Sequence, residues 1–259
     1  MIAKHTSPFL VAALLALFLV GCPRAKVERM EWTTMGTVAA VQCAGDADGR
    51  ATARLRDGVK RTFATVEELL NAHDPQSELS RLAALPDEEI LKKCNPLVRP
   101  CYAAAFRLRD ETGGTFNPRW RGAKTMDLGA IAKGFAVDLA VQGTHGAGVG
   151  RALVDLGGNL KSARGEWRVG IYDGGEFALR EGEACATSAK YFRGDHIRDG
   201  RSGVTVTNAV RSVTVVHPTS AMLADGLSTV MFLLGEEAGE RFLRERHPEA
   251  RAIWYTTHK

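Results

Sequence analysis

Two oxygen-bearing side chains, Asp225 and Thr229, lie four residues apart in a segment whose pattern predicts a helix. Residues at positions i and i+4 share one face of a helix, so the carboxylate and the hydroxyl point the same way. Mg²⁺ usually takes one or two protein carboxylates and completes its shell with water, other oxygens and substrate phosphates. The pair therefore predicts a magnesium site. The alternative is an exposed aspartate beside a threonine that bonds to its own helix backbone.

A second segment whose residues could bind a ligand, residues 126–138, has the sequence MDLGAIAKGFAVD. Gly129 allows a ligand to approach the backbone closely, and the helix start predicted here offers unpaired N–H groups to an anion. Lys133 adds a positive charge in the same turn. The segment therefore predicts a phosphate-binding site. The alternative is a turn at Gly129, a buried apolar stripe at i, i+4 and i+8, and Lys133 as a solvated charge.

The elements that must position these residues are a mixture of strands and helices. A β-branched strand runs into the helix that carries Asp225, which Thr219 or Ser220 can cap and Gly235 can end. Elsewhere the pattern predicts helices over 51–72 and 100–112, and strands over 30–42, 151–156, 166–172 and 184–188. Because strands and helices do not alternate regularly, the predicted fold class is α+β, as a single compact unit.

Composition excludes several classes of protein. The chain has 259 residues, 45% of them hydrophobic and 25% charged, which suits one enzyme-sized domain. Its net charge of +4 is mild, and no basic stripe interleaved with aromatic residues predicts nucleic-acid binding. The sequence contains no CxxC or HExxH spacing for zinc, no Walker A motif and no GxSxG motif.

The amino terminus has the pattern of a targeting signal. An apolar run, 9–20, is too short for a comfortable membrane span and is followed by Gly21 and Cys22. The sequence LVGC at 19–22 resembles a bacterial lipobox, in which Cys22 becomes the lipidated first residue; an uncleaved anchor is the alternative. We therefore predict a signal peptide over 1–21, a tether over 22–29, and a catalytic domain over 30–259. Lipid anchorage would place that domain on the periplasmic side of the membrane.

The predicted compartment is oxidising, so one or two disulfides can form among the remaining cysteines. The sequence does not show which of these cysteines would pair. They are Cys43, Cys94, Cys101 and Cys185.

Together the two site segments resemble the ApbE family of FAD:protein FMN transferases, over about residues 30 to 236. Further stretches follow the order of the family's motifs. WTTMGT at 32–37 looks like its opening MGT strand, SELSRL at 77–82 like SELSRLN, and GTFNP at 114–118 like GxFDP. LVDLGGN at 153–159 is similar to LVNLGGD, ATS at 186–188 to ATSG, and HIRDGRSG at 196–203 to HIxDPxTG.

The resemblance implies a role for each matching residue. Asp225, Thr229 and the backbone oxygen of Ala130 would bind Mg²⁺, and His196 would be catalytic, orienting or deprotonating a hydroxyl or steadying the leaving phosphate. The residues implied to contact the flavin nucleotide are Met35, Thr115, Phe116, Asn117, Asp127 and Lys133.

The implied reaction is Mg²⁺-dependent transfer of FMN from FAD to a threonine or serine hydroxyl of a target protein, with release of AMP. The target would be a subunit of a membrane electron-transfer complex. Two alternatives stay open: a periplasmic FAD pyrophosphatase that uses water as the acceptor, and a lipoprotein that binds FAD without turning it over.

The sequence departs from the family pattern in two shortened segments and in several motif residues, which are expected to form part of the wall of the substrate site. Only residues 119–125 stand between Asn117-Pro118 and Met126, where relatives usually carry a much longer segment, and residues 186–196 are also compressed. Gly200 and Ser202 replace the proline and threonine of HIxDPxTG. Asn117 replaces a usual aspartate, and Ala83 replaces an asparagine. None of these changes touches the predicted metal ligands.

Overall fold

The structure, a computed structural model, describes residues 26–45, 49–144, 148–171, 175–190 and 197–256. Its helices are α1 Arg50–Leu70, α2 Glu78–Leu82, α3 Asp87–Lys93, α4 Arg99–Glu111, α5 Ala132–Gln142, α6 Ala221–Leu234 and α7 Glu236–Arg246. Its strands are β1 Val27–Thr34, β2 Thr37–Ala44, β3 Arg151–Leu156, β4 Asn159–Arg164, β5 Trp167–Gly170, β6 Glu176–Leu179, β7 Ala184–Ala189, β8 Val210–His217 and β9 Arg251–Thr256.

Seven strands form one sheet in the order β1-β2-β3-β4-β7-β8-β9, and every neighbouring pair is antiparallel. Strands β5 and β6 form a separate antiparallel pair. An antiparallel sheet with helices gathered against it is the α+β arrangement. The predicted fold class is therefore confirmed.

The two faces of the sheet bury different layers. Val213 and Val215 of β8 belong to the large core that the helices complete, whereas Val216 belongs to a smaller cluster with Trp167 and Leu179 of the β5–β6 pair. Successive strand residues point to opposite faces, so the helices cover one face and the β5–β6 pair covers the other. The site segments on α5 and α6 lie in the helical layer.

The prediction of one strand over 30–42 is wrong, because the chain reverses in its middle. Strands β1 and β2 pair from Val27 opposite Ala44 to Thr34 opposite Thr37, with Met35 and Gly36 as a two-residue turn. Both turn residues have positive φ, 48° and 66°, as in a type I′ turn, whose twist matches that of the two strands of a hairpin. Methionine rarely takes this conformation, so the composition did not signal the turn.

The longer predicted helices are confirmed within a few residues. Helix α1 buries Leu55, Val59, Phe63 and Val66 along one side, which is the stripe expected of an amphipathic helix. Helix α6 begins after Ser220, whose hydroxyl accepts a hydrogen bond from the Leu223 amide at 3.1 Å, and ends at Gly235.

Within the described ranges no disulfide is present. Cys43, Cys94, Cys101 and Cys185 are all buried thiols. Burial raises the pKa of Cys185 to about 12, so this thiol is protonated and unreactive near neutral pH. None of the described helices combines the length and apolarity needed to span a bilayer.

Candidate functional site

A cavity of about 800 Å³ opens beside the β1–β2 turn, between the start of α5, the face of α6 that carries Asp225 and Thr229, and the loops at 116–121 and 197–198. We call it the central cavity. All the described site residues predicted from the sequence except Thr115 line it: Met35, Phe116, Asn117, Asp127, Ala130, Lys133, Asp225 and Thr229.

Thr115 lies behind the cavity wall. Its residue is 4% exposed, and its carbonyl accepts a hydrogen bond from the Gly200 amide at 2.8 Å. Thr115 thus joins the loop after α4 to the loop that contains Gly200. Two other predicted residues, His196 and Cys22, lie outside the described residues.

Asp225 is the most buried acidic group of the cavity, with a side chain 8% exposed. Its Oδ2 accepts hydrogen bonds from the Gly134 amide at 3.0 Å and from the Lys133 ammonium at 3.5 Å. The same ammonium donates to the Gly129 carbonyl at 2.6 Å. The carboxylate is therefore fixed between helices α5 and α6, with a cation beside it and one edge bonded to the backbone.

The close approach of α5 and α6 depends on Gly134. A Cβ atom at this position would lie 2.1 Å from the Ala221 carbonyl oxygen and 2.8 Å from the Asp225 Cβ. No side chain larger than hydrogen fits there. The glycine thus allows Lys133, on one helix, to reach Asp225, on the other.

Asp138, one helical turn beyond Gly134 in α5, holds the start of α6 in place. Its Oδ1 accepts hydrogen bonds from Lys161 Nζ at 2.6 Å and the Ala221 amide at 2.8 Å. Its Oδ2 accepts from the Ser220 hydroxyl at 2.8 Å and the Met222 amide at 2.9 Å. A carboxylate at a helix N-terminus satisfies the unpaired amides and complements the helix dipole.

His217 accepts hydrogen bonds from the two backbone amides that come just before α6. Its Nδ1 receives hydrogen bonds from the Thr219 amide at 3.2 Å and the Ser220 amide at 2.9 Å. An Nδ1 that accepts two hydrogen bonds carries no proton, and burial lowers the pKa of His217 further below its usual range. The first amides of α6 are thus used internally, and its orientation is fixed.

A serine hydroxyl lies near Thr229, the second predicted metal ligand. Ser188 Oγ, on β7, lies 2.9 Å from Ser228 Oγ and 3.4 Å from Thr229 Oγ1. Ser188 also lines the central cavity. Strand β7 therefore places a further hydroxyl oxygen beside Thr229.

The loop at 127–129 is shaped by a local hydrogen bond. Asp127 Oδ1 accepts from the Gly129 amide at 2.8 Å, and the Asp127 amide donates to the Pro118 carbonyl at 2.8 Å. Arg121 lies 3.7 Å from the second oxygen of Asp127. Asp127 therefore ties the start of the site segment to the shortened segment 119–125.

Gly200, at the place of the family's proline, packs tightly against the same wall. A Cβ there would lie 2.4 Å from Asn117 Cβ, and the Asn117 amide group donates to the Gly200 carbonyl at 3.3 Å. The two departures from the family pattern, Asn117 and Gly200, thus touch each other and fit together.

The donor set is suited to Mg²⁺. Asp225 provides a carboxylate, Thr229 a hydroxyl, and Ala130, on the same cavity wall, a backbone carbonyl. These are hard oxygen ligands, and Mg²⁺ needs few of them because it retains water and binds substrate phosphates. Among the described residues no three His, Cys, Asp or Glu side chains cluster as a closed metal site would require.

Several cavity residues were not found from the sequence. Trp120 and Arg121 come from the short segment 119–125, and Arg198 and Asn159 come from loops and strand ends elsewhere in the chain. Asn159 is 3% exposed, and its Oδ1 has no hydrogen-bond partner among the described residues. In the sequence, Asn159 and Arg198 lie inside family motifs without an assigned role, and Trp120 and Arg121 follow one; the fold brings the four together.

The sequence of this chain is similar to a known family and to several curated proteins. The sequence model of the ApbE family matches residues 120–254. The chain is 38% identical over 194 residues to a FAD:protein FMN transferase of Treponema pallidum (strain Nichols), covering 63% of this chain and 52% of that protein. A FAD:protein FMN transferase of Klebsiella pneumoniae (strain 342) is 35% identical over 150 residues, covering 52% of this chain and 46% of that protein. The chain thus spans about half the length of these curated relatives.

Solved structures share the fold. The apo form of the Pseudomonas stutzeri flavinyl transferase ApbE superimposes with a TM-score of 0.74 and 22% identity, covering 91% of this chain and 93% of that chain. The flavin transferase ApbE of Vibrio cholerae gives 0.74 and 21%, covering 91% and 95%. Because the family match extends over more than half of the sequence and includes Trp120, Lys133 and Asp225, this chain belongs to the ApbE family.

Proposed function

We propose that this protein transfers FMN from FAD to a threonine or serine hydroxyl of a target protein and releases AMP, with Mg²⁺ as its cofactor. The observation that carries the proposal is the position of Lys133 beside Asp225, 3.5 Å apart, in a cavity that Thr229 and Ala130 also line. Two segments almost a hundred residues apart thus supply a cation and oxygen ligands to one place. The names of the curated relatives support the same reaction.

The proposed reaction is a displacement at the FMN-side phosphorus of FAD. The acceptor oxygen forms a bond to this phosphorus, and the bond from phosphorus to the bridging oxygen breaks. The electron pair stays on the bridging oxygen, which leaves with AMP. The hydroxyl proton passes to a base, for which His196 is our candidate, because its usual pKa suits proton transfer near neutral pH.

The side chains of the cavity would bind and orient FAD. Lys133 would place its charge beside the phosphates, and Asp225, Thr229 and the Ala130 carbonyl would hold the metal. When bound, Mg²⁺ supplies positive charge that stabilises the phosphoryl oxygens during the displacement. Met35, Phe116 and Asn117 form the wall that would contact the rest of the nucleotide.

A volume of about 800 Å³ suits a large ligand, since small-molecule sites generally occupy about 300–1,000 Å³.

The proposal includes a membrane anchor. It rests on the lipobox pattern at 19–22, where Cys22 would carry the lipid. Anchorage would hold the folded domain, whose first strand begins at Val27, on the periplasmic side, beside subunits of membrane redox complexes. Confinement to the same surface raises the effective concentration of such targets. Intact mass of the protein extracted from membranes, compared with Cys22→Ser, tests this part.

The reaction is tested with the full chain in detergent. The protein is incubated with FAD, Mg²⁺ and an acceptor domain that carries one exposed threonine, and the acceptor is analysed by intact mass. A gain of one FMN on that threonine, lost when the threonine is replaced by alanine, is the expected result.

Two other outcomes would contradict the proposal. Release of free FMN and AMP, with no label on any of several acceptors, would indicate a pyrophosphatase. FAD that binds and remains intact would indicate a carrier. Omission of Mg²⁺ with added chelator is the matched control for metal dependence.

A further inference from the structure

Two arginines flank a single indole at the rim of the central cavity. The Arg121 guanidinium lies 4.5 Å from the centre of the Trp120 ring, and the Arg198 guanidinium lies 5.9 Å from it. All three residues line the cavity. We call Trp120, Arg121 and Arg198 the rim cluster. A cation over an indole face is held in place by the ring's negative potential.

The backbone that carries Trp120 and Arg121 is firmly anchored. Arg119 donates hydrogen bonds to the carbonyls of Ala83, of Leu85 at 2.7 Å and of Ala123 at 2.7 Å. It also donates to Asp87 Oδ1 at 2.9 Å. The segment 119–125 is therefore fixed against α3 and the loop before it. Pre-organised groups lose less entropy on binding than mobile ones do.

The charges of the rim cluster are only partly neutralised. The Arg121 side chain is 48% exposed, and its ion pair with Asp127 is long, at 3.7 Å. Arg198 is exposed and donates to the Gly203 carbonyl at 3.1 Å. Among the residues that the structure describes, no carboxylate lies within ion-pair distance of Arg198. The rim therefore presents two guanidinium groups whose donors remain available to an oxyanion.

We propose that the rim cluster binds an acidic segment of the acceptor protein, next to the hydroxyl that receives FMN. This inference rests on the proposed transferase function. An acceptor hydroxyl must enter the cavity to reach the FAD phosphate, so the polypeptide beside it passes over the rim. Aspartate or glutamate in that polypeptide would pair with Arg121 and Arg198.

The position of the rim cluster favours a polypeptide carboxylate over the FAD phosphates. Lys133 is 19% exposed and lies beside Asp225, so the cavity already holds a sheltered cation next to the predicted metal ligands. Both rim arginines are exposed. Val204, 62% exposed, belongs to the same loop as Arg198 and offers an apolar contact that suits a protein surface.

The experiment uses two acceptor peptides that share one threonine and differ only in its flanking residues. One peptide carries Asp and Glu, and the other carries Asn and Gln. Binding of each fluorescent peptide to the full chain is measured by anisotropy, and FMN transfer is measured separately by mass. Pairs between exposed charges are individually weak, so we expect the acidic peptide to bind only about threefold to tenfold tighter.

Two variants locate the effect. Arg198→Glu should remove the preference for the acidic peptide, and a third peptide flanked by Lys and Arg should then bind best. Lys124→Glu changes the charge equally in the same segment, at an exposed residue that does not line the cavity, and should keep the preference.

The outcomes separate this inference from the proposed function. Equal binding of the acidic and amide peptides to the unmodified protein would overturn the inference, even if both become labelled. Weaker FAD binding by Arg198→Glu, with peptide preference unchanged, would show that the arginine binds the nucleotide phosphate instead. Preferential binding of the acidic peptide without FMN transfer to any acceptor would overturn the transferase function and leave the docking surface intact.

Discussion

Replacement of Asp138 by asparagine should destabilise the fold far more than a typical substitution of a polar residue. Each carboxylate oxygen accepts two hydrogen bonds, Oδ1 from Lys161 and Ala221 and Oδ2 from Ser220 and Met222. An amide has one acceptor oxygen, so in either orientation its NH₂ group faces donors. The variant also removes the negative partner of Lys161.

The magnitude follows from the burial of the pair. The side chains of Asp138 and Lys161 are 14% and 11% exposed. Removal of one partner of such a buried pair leaves an uncompensated charge and generally costs about 3–5 kcal/mol. Because asparagine keeps one acceptor, we expect about 3 kcal/mol. Domain stabilities are about 5–15 kcal/mol, so the variant should still fold at low temperature.

Urea unfolding followed by far-UV circular dichroism measures this loss. The double variant Asp138→Asn with Lys161→Met should be more stable than the sum of the two single losses predicts, by about 0.5–3 kcal/mol, because the unpaired charge is gone. Asp110→Asn is the matched control, since Asp110 is 67% exposed and pairs with Arg109 at the surface. Its effect should be far smaller.

The connection to the site gives a second readout. Asp138 holds the first turn of the helix that carries Asp225, so its loss should also weaken the proposed Mg²⁺ binding, measured by calorimetry below the unfolding temperature. A loss of stability under about 1 kcal/mol for Asp138→Asn would refute the assignment of this carboxylate as the anchor of α6.

Three further changes have distinct expected results. Gly134→Ala should lower the melting temperature strongly, because its Cβ would overlap the Ala221 carbonyl at 2.1 Å, whereas Gly143→Ala, with its nearest contact at 3.5 Å, should not; equal melting temperatures would contradict the close helix contact. For His217, burial lowers the folded-state pKa below 6.5, so the unfolded state binds more protons and the free energy of unfolding should fall as pH drops below about 6.5. His217→Gln should make the free energy of unfolding, measured by urea titration at a series of pH values, depend less on pH. Asp225→Asn keeps an acceptor for the Gly134 amide but loses its charge, so Mg²⁺-dependent turnover should disappear while the far-UV spectrum persists, and unchanged Mg²⁺ titration of activity would exclude this residue as a ligand.

The sequence predicted the elements that have strong local signals. Helix α1 has an apolar stripe along its whole length, and α6 has a serine cap and a terminal glycine. Strand β8 is rich in β-branched residues and is buried on both faces. These signals depend on near neighbours in the chain, which is why they are visible without a structure.

Elements without such signals were missed or misassigned. Met35 lies in the β1–β2 turn with φ of 48°, and methionine as a residue type gives no signal for a turn. The short helices α2 and α3, the exposed helix α7 and the edge strand β9 were not predicted. The Asp138 anchor was equally hidden, since its four partners come from β4 and the start of α6, far away in the sequence.

The spacing of the site motifs has a physical basis in the contact between α5 and α6. Gly134 permits the approach, and Asp138, one helical turn further on, fixes the start of α6. Asp225 then lies one turn into α6, opposite Gly134, and accepts its amide. Any shift of one helix along the other would break both contacts at once. The lysine, the carboxylate and the cap are therefore positioned by one rigid helix pair, which carries the predicted metal ligands Asp225 and Thr229, whereas Trp120 and Arg121 lie in a loop outside it.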